Sequence, residues 1–196
     1  MRTRPAALRA TLSGLAVLLA LGLVPATAQQ KKQPEKKTPA KETTSPLPGG
    51  GQTFLIGTFG DWKALMTGKD RQKVCYALSQ PKERLPAKLN RDPGYVFISN
   101  RMADGAKNEI AFKLGFAAKT GQDGALTIGT GNFPLVASGD SAFLKNPAQE
   151  GQLIELMKRS AGVTLKMASV RGNETTDKYS LNGFGKALEA VAKECP

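Results

Sequence analysis

From Gln52 to the C-terminus, hydrophobic and polar residues change places over short distances, and Gly, Asn, Asp and Pro interrupt the pattern at short intervals. Runs rich in β-formers lie between these breaks. Residues 74–79 set Val74, Tyr76 and Leu78 against smaller or polar neighbours, the period-two pattern of a half-buried strand. Further runs at 59–66, 95–99, 109–114, 125–130, 133–136, 163–170 and 178–181 predict strands as well. Many short strands separated by turn residues predict a mainly β domain, an antiparallel β-sandwich or barrel.

Two stretches have helical period instead. Residues 146–160 place Leu153, Ile154 and Met157 on one helical face, with Asn146 as cap and Pro147 at the first position. The second helix follows Asn182, read as its cap. There Phe184, Leu188, Val191 and Cys195 recur at steps of four, three and four, which puts Cys195 on the buried side.

The N-terminal part has a different pattern. Arg2, Arg4 and Arg9 precede an apolar run at 12–24, and Ala26-Thr27-Ala28 supplies a small-residue cleavage site, so residues 1–28 read as a cleavable signal peptide. An apolar run of about 13 residues is short of the roughly 20 that a bilayer core requires. Residues 29–51 hold five Lys, two Glu, four Pro and no aromatic residue. Such a segment buries too little apolar surface to offset its ordering entropy, and it reads as a disordered Lys/Pro-rich linker. The folded domain is then 52–196, with no further segment apolar enough to span a membrane.

Charge changes this picture little. The formal net charge of +12 owes much to the signal and the linker. The domain itself carries 20 Lys and Arg against 14 Asp and Glu, a balance of +6. These cations are scattered singly, with no basic helix and no aromatic RNA-binding signature, which argues against nucleic acid. An anionic envelope surface fits the linker better, through a weak, salt-screened attraction.

Candidate chemistry is sparse. The chain contains no histidine, which removes Ser-His-Asp and Cys-His nucleophilic systems and every His-based metal site. The two cysteines, Cys75 and Cys195, form no CxxC and no four-cysteine zinc site. In an exported domain an even count suggests one disulfide, and a pair of buried free thiols is the alternative. No cofactor or metal is expected, and the glycine-containing stretches lack the Lys and Ser or Thr of a phosphate loop.

Four residues form a candidate structural or binding network: Trp62, Arg171, Asp177 and Tyr179. Trp62, the one tryptophan, is expected as a core plug. Residues 171–181 are dense in hydrogen-bonding groups, and Arg171 paired with Asp177, with the Tyr179 hydroxyl satisfied by backbone, is the structural version. In that version Arg171→Ala lowers the melting temperature; in the binding version it removes a partner and leaves stability unchanged.

Several motifs in this order resemble the invasion-associated locus B family of alphaproteobacterial exported proteins. They are Phe59-Gly60-Asp61-Trp62, the run at 74–81, Arg171-Gly172 with the run at 177–184, and Glu194-Cys195-Pro196. The resemblance covers nearly the whole domain. It implies a mostly β sandwich, immunoglobulin-like in outline, in the periplasm or at the outer membrane, and in pathogenic members a link to host-cell entry. It supplies no catalytic residue. Many similar chains have a further cysteine after the Gly-Asp-Trp motif, where this chain has Lys63-Ala64-Leu65-Met66, so Cys75 is left to pair with Cys195.

The expected function is that of an exported, non-enzymatic binding protein of the cell envelope, with an envelope polymer, an outer-membrane protein or a host surface as partner. The alternative is a periplasmic small-ligand carrier or an enzyme with an unrecognised site. Oligomeric state is not legible.

Overall fold

The computed structural model describes residues 52–196 and the backbone of residues 42–43. The expected signal peptide at 1–28, and the linker at 29–51 apart from those two residues, lie outside the described residues.

The described residues form twelve strands: β1 (Glu42–Thr43), β2 (Thr53–Phe59), β3 (Trp62–Thr67), β4 (Val74–Ser79), β5 (Glu83–Leu85), β6 (Tyr95–Arg101), β7 (Glu109–Lys113), β8 (Gly124–Ile128), β9 (Gly131–Ser138), β10 (Ser141–Leu144), β11 (Gly162–Ala168) and β12 (Glu174–Ser180). They join one antiparallel ladder in the order β1-β2-β3-β4-β6-β7-β10-β9-β8-β11-β12-β5. Two helices, α1 (Glu150–Arg159) and α2 (Phe184–Glu194), complete the fold. The expected antiparallel, mainly β architecture with a C-terminal helix is what the chain adopts.

Burial alternates along β7 and β8, as expected of strands with one face in the core. One core cluster takes Ala64, Ala77 and Ile98 from one half of the ladder, and Leu126, Phe133 and Leu165 from the other. Phe112 of β7 and Tyr179 of β12 meet edge to face, with ring centroids 6.0 Å apart. The two layers of a sandwich are therefore two stretches of one curled sheet.

Small residues on β3 and β4 make room for α2. Ala64 and Ala77 are paired across the strands and fully buried, and α2 packs on β2, β3 and β4. Burying Phe184, Leu188 and Val191 in that contact contributes roughly 1.5–3 kcal/mol each. The Cys75–Cys195 disulfide, with Cα atoms 5.9 Å apart, fastens the end of this helix to β4.

Several local expectations change. The run at 59–66 is the end of β2, a turn at Gly60-Asp61, and β3. Gly60 there has φ +56°, which glycine adopts freely. The Asn146 side chain accepts a hydrogen bond from the Ala148 N–H at 3.1 Å, capping a 3-10 turn that leads into α1. Asn182 is not the cap of α2. Gly183 holds that position at φ +88° without a side-chain cap, because Asn182 is engaged elsewhere.

Candidate functional site

The motifs that carry the family resemblance meet one another in space. The Asp61 N–H donates to the Asn182 carbonyl at 3.0 Å, and the Ser79 hydroxyl donates to the Asp61 carbonyl at 2.8 Å. Lys82, with Nζ 2.5 Å from the carboxylate, holds the Asp61 carboxyl below the usual carboxylate range, helped by hydrogen bonds from Ser180 and Asn182. Next to it, Trp62 is fully buried. Its Nε1–H donates to the Ser180 carbonyl at 2.9 Å, and its ring packs against Phe184 with centroids 4.9 Å apart. Gly60 and Gly183 lie where these segments touch: a Cβ on Gly183 would overlap the Phe59 carbonyl oxygen, and one on Gly60 would crowd the Asn182 carbonyl. Gly-Asp-Trp and Asn-Gly-Phe are two sides of one joint.

Asp177 is fully buried on β12. The register sets it opposite Arg84 of β5, whose Nε lies 3.2 and 3.1 Å from the two carboxylate oxygens. Arg91 Nη1 donates to the same carboxylate at 3.0 Å, from a side chain only 5% exposed. Arg84 also donates to the carbonyls of Asp92, at 2.6 Å, and Leu114, at 2.7 Å. A buried carboxylate persists only when it is paired and hydrogen-bonded, and here two guanidiniums do both. Tyr179, two residues along on the same side of β12, is 2% exposed. Burial pushes its phenol far above the usual range, and the Asp177 charge adds to the effect.

The expected pairing of Arg171 with Asp177 does not form. Arg171 is exposed, and Asp177 belongs to Arg84 and Arg91. Sequence reasoning missed those two arginines. Their signal was a basic loop around Asp92, but its target is set by the pairing of β5 with β12, across some 90 residues of chain.

Arg171 stands in the wall of a cleft of about 330 Å³, between the loop bearing Arg91 and Asp92, the segment at 115–117, and the β11–β12 hairpin. Phe116 and Val170, the latter 61% exposed, supply its apolar surface. Asn90, Ser169 and Asn173 add polar groups. Three arginines (84, 91 and 171) stand against Asp177 and Asp92 in and beneath this cleft, and no ion pair engages Arg171 among the described residues. The cleft therefore carries one unbalanced positive charge at its mouth, suited to an anionic group. No group of three His, Cys, Asp or Glu converges as a metal site among the described residues.

Fold and site together define a mainly antiparallel β domain, stapled by one disulfide, with a cationic cleft at a hairpin. No helix among the described residues is long and apolar enough to cross a membrane. Among solved structures, the chain is similar to invasion associated protein B from Bartonella henselae, at 16% identity and a TM-score of 0.49, over 70% of this chain and 96% of that one. No protein-family model and no curated protein matches it.

Proposed function

We propose that this chain is an exported, non-enzymatic binding module of the cell envelope, and that its cleft takes an anionic group of an envelope polymer. The observation that carries this reading is the unpaired guanidinium of Arg171 beside a buried cluster that is already cation-rich. Beneath it, Arg91 and Asp177 are held in place by buried ion pairs, so the wall is pre-organised and little ordering cost falls on the ligand. The lack of histidine throughout the chain and the locking of Asp177 and Tyr179 in structural contacts support binding over turnover. A disulfide supports an oxidising compartment, which agrees with a periplasmic or outer-membrane location and with the signal-like segment at 1–28.

The test is co-sedimentation with purified peptidoglycan and titration with lipopolysaccharide at low and physiological salt. Arg171→Glu is expected to weaken binding to the responding polymer about tenfold or more, roughly 1.4 kcal/mol. Because the side chain is exposed, the melting temperature should stay within about 1–2 °C of the parent. Equal binding by the variant, or no binding of either polymer, overturns the assignment.

A further inference from the structure

We propose that the cleft beside Arg171 takes the zwitterionic end of a peptide, a carboxylate and an ammonium on one short unit, which rests on the reading of this cleft as a binding site. Its lining contains two charges of opposite sign that the fold leaves without partners. Arg171 is one. The other is Asp92, exposed on the loop that forms another wall. Asp61, Asp104, Asp123, Asp140 and Asp177 each have an ion-pair partner, whereas Asp92 has none among the described residues. Arg171 and Asp92 do not pair with each other either, so a gap separates them.

Both side chains stand on backbone that other contacts hold. The Asp92 N–H donates to the Gly115 carbonyl at 3.0 Å, and the Asp92 carbonyl accepts from Arg84 Nη1 at 2.6 Å. Gly115, at φ +72°, permits this approach, since a Cβ on it would overlap the Asp92 carbonyl oxygen. Arg171 sits in a tight turn closed by the Gly172 N–H, which donates to the Ser169 carbonyl at 2.9 Å. The Val170 N–H fastens that turn to the Ala117 carbonyl at 3.0 Å, and the Asn173 N–H donates to the Ser169 hydroxyl at 3.1 Å. The ordering cost of binding therefore falls mainly on two side chains rather than on loops.

Asp92 decides between classes of ligand. A guanidinium presents a planar fork of N–H donors that suits a carboxylate, and a carboxylate in turn accepts from an ammonium. A purely anionic group such as a phosphate is drawn to Arg171 and repelled by Asp92. A ligand that brings its own cation meets both walls favourably. Size agrees, because about 330 Å³ lies at the lower end of the roughly 300–1,000 Å³ typical of small-ligand sites. That is room for a peptide end and not for a length of polymer. Phe116 and Val170 offer apolar surface to a small side chain, and Asn90 and Asn173 offer amides to the peptide group. Peptide branches of peptidoglycan and free peptides both present such ends.

The experiment is a titration of the disulfide-bonded chain, followed by nuclear magnetic resonance through the backbone amides of Asn90, Ser169 and Asn173. The probes, at millimolar concentration, are alanyl-alanine, its N-acetylated form, its C-terminal amide and inorganic phosphate. Alanyl-alanine should bind about threefold to fivefold more tightly than either blocked form, the worth of one exposed ion pair. Asp92→Asn should weaken alanyl-alanine yet strengthen the acetylated form and phosphate, opposite signs that damage to the fold does not produce. Equal binding of free and blocked peptides overturns the proposal, as does tighter binding of phosphate or an absence of shifts with every probe. Sedimentation with peptidoglycan that requires Arg171, but is unchanged by Asp92→Asn and by acetylation of the polymer's free amines, also overturns it and leaves the broader anionic reading standing. Alanyl-alanine binding without peptidoglycan sedimentation upholds the zwitterionic assignment, assigns its source to free peptides and removes the polymer.

Discussion

At the scale of single residues, the register of the sheet decided which charges meet. Arg171 and Asp177 are six positions apart and invite pairing on paper. Yet Asp177 points inward, and the residue opposite it is Arg84, placed there by a three-residue strand with little signal of its own. Trp62 and Tyr179 were easier to place, since large amphipathic rings in a β domain seek the interior. Tyr179 gives a prediction with a definite sign. Its phenol holds the proton in the folded chain well above the ordinary value near 10, whereas the unfolded chain releases it there. Above about pH 10 the unfolded state therefore binds fewer protons, and stability falls as pH rises. Tyr179→Phe keeps the ring against Phe112 and removes this contribution. Urea unfolding between pH 8 and pH 11 should show a steeper loss for the parent than for the variant, and parallel losses would mean that the phenol ionises freely in the folded state.

At the scale of elements, the sequence carried the periodicities well and the junctions poorly. The apolar spacings of α1 and α2 correspond to buried faces, and β4 has the expected bounds. The strands β2, β5 and β10 went unread. β2 contains Gly57 and a register shift between Leu55 and Gly57 that breaks its alternation, while β5 and β10 are three and four residues long. The joint between the β2–β3 turn and the start of α2 was visible only as two motifs 120 residues apart, and their meeting is a tertiary fact. Gly183 is its sharpest point, with positive φ and the Phe59 carbonyl in the way of any side chain. Gly183→Ala should cost more than about 2 kcal/mol, combining left-handed strain with displacement of the turn. Denaturant midpoints would measure it, and a loss below about 0.5 kcal/mol would show that the turn yields easily.

At the scale of the whole molecule, fold class followed from the many short strands between turn residues and the two helical periodicities, but closure did not. That β5 leaves its sequence neighbours to pair with β12 at the far edge, and that Trp62 reaches Ser180 across the curl, depend on pairings between distant segments. The candidate cleft shares this origin, so its position was illegible even though Arg171 itself had been singled out. The disulfide closes a long loop, with a sequence separation of 120 residues. Reducing it is expected to lower the unfolding free energy by about 4–5 kcal/mol on the chain-entropy account. Guanidinium unfolding with and without reductant tests this, and a loss under about 1 kcal/mol would mean that the Asn100 to Cys195 hydrogen bond and the Lys73–Glu194 ion pair hold the helix end unaided.

The same bridge sets a clock on biogenesis. At a synthesis rate of about 5–20 residues per second, Cys75 exists for roughly 6–24 s before Cys195 has been made. During that interval the first thiol has no partner within its own chain. With only two cysteines in the sequence, a wrong bridge inside the molecule cannot form. The hazard is a mixed disulfide with another protein, and the burial of both sulfur-bearing residues in the finished core makes release from that state a precondition for docking α2.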